Sequence, residues 1–252
     1  MEILYLSLFA SLIVVFSEAI ETSLTPGEVE ICTGAHNKLR RLHKNTPSLE
    51  WDDSLAAAAQ RYAEKLVEIN RKSSTNQLIH EHPTHGMGEN LYWQDNRKKG
   101  TCADASLAWY NEINDYSYAL GDTKNGMPVG HFTQLVWKKT LKFGVGIATM
   151  KSRKYSEYGN TETFIVAKYS PKGNFYMTGK KLRDYTANVQ PRKAGSVTPT
   201  VEELDPTLKQ ACENGYGDGQ CHDFLNDWGY TCHGDEFESY FKENCYKACG
   251  YC

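Results

Sequence analysis

The eight cysteines of this 252-residue chain are unevenly distributed, and their distribution constrains the fold more than any other feature. Six of them crowd into residues 212–252, whereas Cys32 and Cys102 stand alone in the long N-terminal part. An even number of clustered cysteines is typical of a disulfide framework in an oxidising compartment. We therefore expect a large unit with its own hydrophobic core, followed by a small module held together by disulfides.

The first residues of the chain predict a secretory signal peptide. Residues 3–16 are almost entirely apolar, and the small residues Ser17 and Ala19 follow them. This pattern is typical of a signal peptide, here residues 1–19, that is cleaved after Ala19. A membrane anchor is the alternative, but the apolar run is shorter than the ~20 residues that span a bilayer. We expect a secreted, extracellular protein with no transmembrane segment in the mature chain.

The charged residues are distributed unevenly along the chain, as the cysteines are. The sequence has 28 Lys and Arg against 31 Asp and Glu, a net charge of −3, which excludes a polybasic nucleic-acid binder. The acidic excess lies in residues 212–252, while residues 20–211 are mildly basic. Residues 188–211 contain three prolines and few apolar residues, which predicts a linker between a domain over 20–187 and the module over 212–252.

Helical and strand patterns alternate within residues 20–187. Thr25–Glu28 has the residue types of a helix N-terminus, and Asp52 or Asp53 caps a second predicted helix. A third helix is predicted from about Thr101 to Tyr116. Two segments rich in β-forming residues predict strands, at 143–150 and 163–169. Helices interleaved with short strands indicate an α+β fold in which helices cover a sheet.

The two isolated cysteines each fall within a predicted helix. In an oxidising compartment we expect a disulfide between Cys32 and Cys102. Two buried free thiols are the alternative.

Four segments combine acid–base or metal-binding side chains with aromatic residues. They are LIHEHPTHG with three histidines, GMGENLYW with Glu89, AWYNEI with Glu112, and GHFTQLVW with His131. A zinc-protease HExxH motif is excluded, because Thr84 stands where the second histidine is needed and Pro83 breaks the helix. By spacing alone, the histidine-rich segment also fits a solvated surface loop.

Several of these motifs resemble the CAP superfamily, which includes cysteine-rich secretory proteins, venom antigen 5 and plant pathogenesis-related proteins. The matching stretches are GHFTQLVWKKT, PSLEWD, GENLYW and IVAKYSPKGNF, the last at residues 165–175 with Ala167 in place of a family cysteine. The resemblance covers about residues 28–180. It implies an α-β-α sandwich with a cleft lined by two histidines and two glutamates.

The resemblance assigns this cleft to Glu89, Glu112, His131 and His80, with His82 as an alternative to His80. Two neutral imidazoles and a carboxylate can hold a divalent ion such as zinc or magnesium, while the second glutamate orients water or acts as a base. A hydrogen-bonded network that only shapes the cleft is the alternative.

The same resemblance implies binding of a small apolar ligand such as a sterol, a fatty acid or a phospholipid. Two sets of residues could line an apolar groove: the loop Trp93–Gly100 and the aromatic cluster Trp109, Tyr110, Tyr116 and Tyr118. The alternative is that these aromatic side chains belong to the core, which we favour for Trp109.

The C-terminal cysteines resemble those of the ShKT domain, which is named after a potassium-channel toxin. The resemblance implies three disulfides, Cys212–Cys252, Cys221–Cys245 and Cys232–Cys249. Channel-blocking members place a Lys-Tyr pair where this chain has Ser239 and Tyr240. The missing lysine and the acidic charge argue against binding to a cation-selective pore. We expect a module that binds an extracellular or cell-surface protein.

Taken together, the sequence predicts a secreted protein that binds a small apolar ligand, a divalent metal, or both, without catalysis. A venom or toxin component acting on ion channels is the first alternative. A metal-dependent hydrolase is the second, and it would need metal-activated water because the matched motifs contain no nucleophile.

Overall fold

A computed structural model of the chain describes residues 24–210 and Cys221. The predicted signal peptide and the predicted ShKT module lie outside these residues, apart from Cys221, which is buried and disulfide-bonded. Within the described part, no helix combines the length and apolar character that crossing a membrane requires.

A four-stranded sheet forms the centre of the fold. Its strands, in spatial order, are β1 (Glu50–Trp51), β5 (Lys142–Lys151), β6 (Thr161–Ser170) and β2 (Gly88–Asn96). β1 runs parallel to β5, whereas β5–β6 and β6–β2 are antiparallel. A separate hairpin pairs β3 (Tyr116–Ser117) with β4 (Asp122–Thr123).

Helices cover both faces of this sheet, as the sequence predicts. The helix α2 (Asp53–Arg71) packs on one face, and the core of the other face includes α1 (Pro26–Arg40), α3 (Cys102–Asn111) and α4 (Gly130–Leu135). Along β6, Phe164 and Val166 pack on the α2 side, while Ile165 and Ala167 pack on the other side. This alternation follows the period-two pleat of a strand and produces an α-β-α sandwich.

The first and third helices begin with capping boxes and are covalently joined. Thr25 caps α1 and Thr101 caps α3, each with an acidic residue three positions later. A disulfide links Cys32 to Cys102, with the two Cα atoms 5.0 Å apart. The α3 helix is shorter than predicted, because a 3-10 helix replaces it from Glu112 to Asp115. Asp52, rather than Asp53, caps α2.

The edge strand β2 is not evident from the sequence. Its residues GENLYWQDN contain few of the apolar side chains that mark a strand, and most are only partly buried. Pairing with β6 over nine residues forms the strand instead. Part of the predicted loop Trp93–Gly100 is therefore strand.

Residues 188–210 also differ from the predicted linker. After α5 (Lys181–Asn188), the chain returns to the segment that follows α1, where His43 Nδ1 donates to the Gln190 carbonyl at 2.6 Å. A short helix, α6 (Val201–Leu204), then packs against α1 and α3, and Leu204 is buried. The low apolar content of the segment conceals this packing, because one buried leucine is enough to anchor so short a helix.

Two glycines of β5 set the distance between the sheet and α2. A Cβ atom at Gly144 would lie 2.1 Å from the backbone nitrogen of Ala56, and one at Gly146 would lie 2.2 Å from that of Gln60. Backbone atoms cannot move aside as the end of a flexible side chain can. The close approach of α2 therefore requires glycine at both positions.

We predict that Gly146→Ala lowers the free energy of unfolding by at least about 2 kcal/mol, because α2 must shift to admit the methyl group. Gly34→Ala is the matched control. Gly34 lies inside α1 with open space around it, so alanine there raises stability by about 0.5–1 kcal/mol. Urea unfolding measures both, and an unchanged Gly146→Ala variant would contradict the close packing.

Two histidines are buried in the core as neutral imidazoles. His36 Nδ1 donates to the Cys32 carbonyl at 3.2 Å, and its Nε2 accepts from the Tyr169 hydroxyl at 3.0 Å. His43 Nε2 accepts from the Tyr110 hydroxyl at 2.9 Å. Burial lowers the pKa of His36 from 6.5 to about 3 and that of His43 to about 4.

Acidification is therefore expected to destabilise the fold. The unfolded chain takes up a proton at each imidazole near pH 6.5, whereas the folded pKa values are much lower, so stability falls as the pH decreases below 6.5. Between pH 7 and pH 5, we predict that the free energy of unfolding falls by about 2 kcal/mol less in His36→Phe than in the wild type. Denaturant titrations at both pH values measure it. His85→Asn, at an exposed position, is the control and keeps the wild-type difference.

Candidate functional site

A cleft of about 490 Å³ lies at the start of β2. The histidine-rich loop before β2, the first residues of β2, the N-terminal end of α4 and the segment after β6 all contribute to its wall. The side chains that could bind a ligand there are His80, His82, Glu89, His131 and Lys172. The structure thus brings three of the four predicted site residues to the cleft wall, and the fourth, Glu112, contacts His131.

His80 is held in place by Glu89. Its Nδ1 donates to Glu89 Oε1 at 2.6 Å, and the backbone N–H of Glu81 donates to the same oxygen at 3.1 Å. The Tyr62 hydroxyl of α2 donates to the Ile79 carbonyl at 2.5 Å, which fixes the loop against the helix. Glu89 is almost fully buried, while the His80 side chain is 52% exposed and faces the cleft.

A buried lysine binds the other oxygen of Glu89. Lys168 lies directly opposite Glu89 in the β2–β6 pairing, and its Nζ is 2.6 Å from Glu89 Oε2 and 2.5 Å from Glu81 Oε2. Only 1% of the lysine side chain is exposed. Burial alone would raise the pKa of Glu89, but the hydrogen bonds from His80 and Lys168 outweigh it and lower that pKa. Glu89 is therefore an ionised acceptor.

His131 is held by Glu112 in an equivalent way. Its Nδ1 donates to Glu112 Oε1 at 2.7 Å. The backbone N–H groups of His131 and Phe132 donate to Glu112 Oε2 at 2.9 and 3.1 Å. Val129, the N-cap residue of α4, has no side-chain acceptor, so Glu112 caps the helix from the end of α3.

The two imidazoles lie close together in this arrangement. Their ring centroids are 6.5 Å apart, and the buried indole of Trp109 stacks on His131 at 6.4 Å. Each Nδ1 donates its proton to a carboxylate, so Nε2 is the ring nitrogen that remains for a ligand. Among residues 24–210, no group of three or more His, Cys, Asp or Glu side chains is arranged to hold a metal ion. The donors that the cleft offers are therefore two imidazoles whose rings are oriented by carboxylates.

The cysteine-rich secretory protein family, CAP, matches residues 33–169, more than half of the chain. The chain belongs to the CAP family. Its mixed α/β sandwich is the CAP domain that the sequence motifs imply, and all four of those motifs lie at least partly within the matched residues.

Its relatives include secretory and venom proteins. The chain is 30% identical over 158 residues to cysteine-rich secretory protein 3 of Equus caballus. It is 33% identical over 159 residues to cysteine-rich venom protein VAR10 of Varanus varius, and 33% identical over 156 residues to protein PRY2 of Saccharomyces cerevisiae. These matches cover 60–62% of this chain and 60%, 62% and 39% of the respective relatives.

Solved structures resemble the chain over a similar extent. The structure of BmVAL-1 has 25% identity and a TM-score of 0.49, and the match covers 62% of this chain and 82% of BmVAL-1. The crystal structure of NaASP2 with Zn²⁺ has 20% identity and a TM-score of 0.46, with coverage of 62% and 85%.

Of the two candidate histidines of the loop, His80 contacts Glu89 in the structure. His80 is the partner of Glu89, while His82 is exposed and contributes to the cleft wall. His85, the third histidine of the loop, is also exposed.

The structure places three residues of the predicted aromatic cluster in the core, which is the alternative favoured for Trp109. Trp109, Tyr110 and Tyr116 are core residues, with 3%, 0% and 5% exposure. The Trp109 indole N–H donates to the Leu91 carbonyl at 2.8 Å, which ties α3 to β2. These side chains therefore pack in the core next to the site and do not line an open groove.

Sequence reasoning did not identify Lys168 and Asn90 as parts of the site. Asn90 is buried, and its amide donates to the His131 carbonyl at 3.0 Å and to the Tyr169 hydroxyl at 3.4 Å. A signal for Lys168 was present, because a lysine inside the otherwise apolar run FIVAKY needs a buried partner. Asn90 carried no comparable signal.

We predict that Glu112→Ala lowers the free energy of unfolding by about 2–4 kcal/mol, because two backbone N–H groups and one imidazole lose their acceptor. Glu112→Gln keeps an oxygen that can accept from the backbone and should lose less than half as much. Urea unfolding of both variants measures the difference. Equal stability of Glu112→Ala and the wild type would exclude the capping role.

Proposed function

We propose that this protein is a secreted, non-enzymatic CAP-domain protein whose cleft binds a divalent metal through Nε2 of His80 and Nε2 of His131. The observation that supports this most directly is the shared orientation of the two imidazoles. Each ring donates Nδ1–H to a carboxylate, which is the usual outer-shell arrangement of a metal-binding histidine.

The donor set favours zinc over magnesium. Imidazole nitrogen suits zinc, whereas magnesium prefers oxygen ligands and retains several waters. A bound zinc ion would supply a Lewis acid with open positions for water or for a ligand group. Glu89 and Glu112 would orient the imidazoles and increase their basicity.

The same contacts favour binding over hydrolysis. Both oxygens of Glu89 accept hydrogen bonds, from His80 and Glu81 on one side and from Lys168 on the other. Both oxygens of Glu112 are likewise engaged. A general base needs a basic carboxylate oxygen within reach of the water that it deprotonates, and here each oxygen already accepts at least one hydrogen bond, which lowers its basicity.

Secretion and partner binding complete the proposal. Relatives named as secretory and venom proteins support an extracellular location. We assign the acidic, cysteine-rich segment 212–252 to docking on an extracellular or cell-surface protein, since its charge is opposite to that of residues 20–211. A sterol or fatty acid in the cleft remains part of the proposal as a second ligand.

Native mass spectrometry of the secreted protein after addition of zinc tests the metal site. We expect one bound zinc that a chelator removes, and no bound zinc in His80→Ala or His131→Ala. Glu112→Gln should weaken binding by about 10–100-fold, because it disturbs the orientation of His131. His85→Asn is the control and should bind as the wild type does.

Two outcomes would overturn the metal assignment. One is zinc binding that survives in both histidine variants. The other is the absence of any zinc-dependent mass increase, together with a chelator-resistant mass that matches a lipid, which would favour the carrier of a small apolar ligand.

A further inference from the structure

Half of the large exposed hydrophobic side chains in the described residues come from two short segments. Six of the twelve lie in residues 120–127 and 172–183, and each is between 45% and 58% exposed. They are Leu120, Met127, Phe175, Tyr176, Met177 and Leu182. Scattered apolar residues are normal on a protein surface, but a cluster of this kind indicates an interaction site.

The two segments pack against each other and form one surface, here called the 120/175 face. The Lys181 ammonium at the start of α5 forms an ion pair with Asp122 of β4. A Cβ atom at Gly121, which has a φ of +61°, would lie 3.1 Å from Leu182, so the hairpin tip touches α5. Near the other end, the Asn174 amide donates to the Gly130 carbonyl at 2.8 Å.

The 120/175 face is strongly basic although the whole chain has a net charge of −3. Residues 120–127 and 172–183 contain five basic side chains and one acidic side chain, Asp122. The basic ones are Lys124, Lys172, Lys180, Lys181 and Arg183. Asp184, immediately outside the face, forms an ion pair with Arg183. Lys172 lies 5.6 Å from the Phe175 ring centroid, so cationic and aromatic groups are adjacent.

We propose that the 120/175 face docks on the surface of an anionic lipid bilayer. Exposed aromatic and aliphatic side chains insert at the boundary between headgroups and acyl chains, while neighbouring lysines bind anionic headgroups. Six apolar side chains surrounded by cations match that chemistry. An acidic protein surface would satisfy the cations but would not require so many exposed apolar groups.

Docking in this way would bring the cleft to the membrane. Lys172 and Asn174 belong both to the 120/175 face and to the wall of the cleft. A ligand that leaves the bilayer would therefore enter the cleft from this side. The docking itself does not depend on a metal at His80 and His131.

Flotation of the full-length secreted protein with two kinds of vesicle tests the proposal. One kind contains phosphatidylcholine alone, and the other contains about 30% phosphatidylserine. We expect binding to the second kind only, with affinity that falls as salt screens the charges. Phe175→Ser with Met177→Ser and Leu182→Ser should reduce the affinity by about tenfold or more. Lys172→Gln with Lys180→Gln should reduce it by roughly 20-fold.

Matched variants away from the face control for general loss of exposed groups. Leu141→Ser with Tyr158→Ser and Val197→Ser removes three apolar side chains that are at least as exposed, and Lys65→Gln with Lys72→Gln removes one exposed lysine on α2 and one at its C-terminal cap. Both should bind as the wild type does.

Equal effects of the face and control variants would overturn the proposal. Failure of the full chain to bind anionic vesicles would also overturn it, and would point to an acidic protein surface or to the acidic segment 212–252 as the occupant.

Discussion

The burial of the Lys168 ammonium constrains the candidate site more than any other interaction. A cation that is 1% exposed needs charged partners, and Glu89 and Glu81 supply them at 2.6 and 2.5 Å. Because Glu89 faces Lys168 in the register of β2 and β6, the sheet itself brings the pair together. The charge of Glu89 then fixes the ring of His80. The strand register thus brings the ion pair together, and the ion pair holds the carboxylate that orients the imidazole.

The other imidazole of the site, His131, is oriented by a helix cap and not by a strand pair. Glu112 stands where α3 gives way to a 3-10 helix, and it caps α4 in place of Val129, which has no suitable side chain. One carboxylate therefore stabilises the start of a helix and orients His131 at the same time. The Trp109 indole N–H donates to the Leu91 carbonyl of β2, which ties the end of α3 next to Glu112 to the sheet. Two carboxylates held by unrelated parts of the fold converge on one cleft.

The sequence predicted the parts of this structure that depend on local patterns. Capping residues located α1 and α2, runs of β-forming residues located β5 and β6, and the motifs located His80, Glu89, Glu112 and His131. The remaining features depend on tertiary partners. β2 is a strand because it pairs with β6, residues 188–210 pack because of contacts such as those of Leu204, and Lys168 reaches the site because of strand register. Of these features, only the lysine inside the apolar run FIVAKY leaves a local signal in the sequence.

The central claim is that the carboxylates hold both cleft imidazoles with the proton on Nδ1. Long-range ¹H–¹⁵N correlation spectra of the histidine side chains, recorded on the metal-free protein at neutral pH, test it directly. The hydrogen bonds to Glu89 and Glu112 predict that Nδ1 of both His80 and His131 carries a proton. A ring protonated on Nε2 alone would contradict it, because Nδ1 would then lack the proton that it donates to the carboxylate.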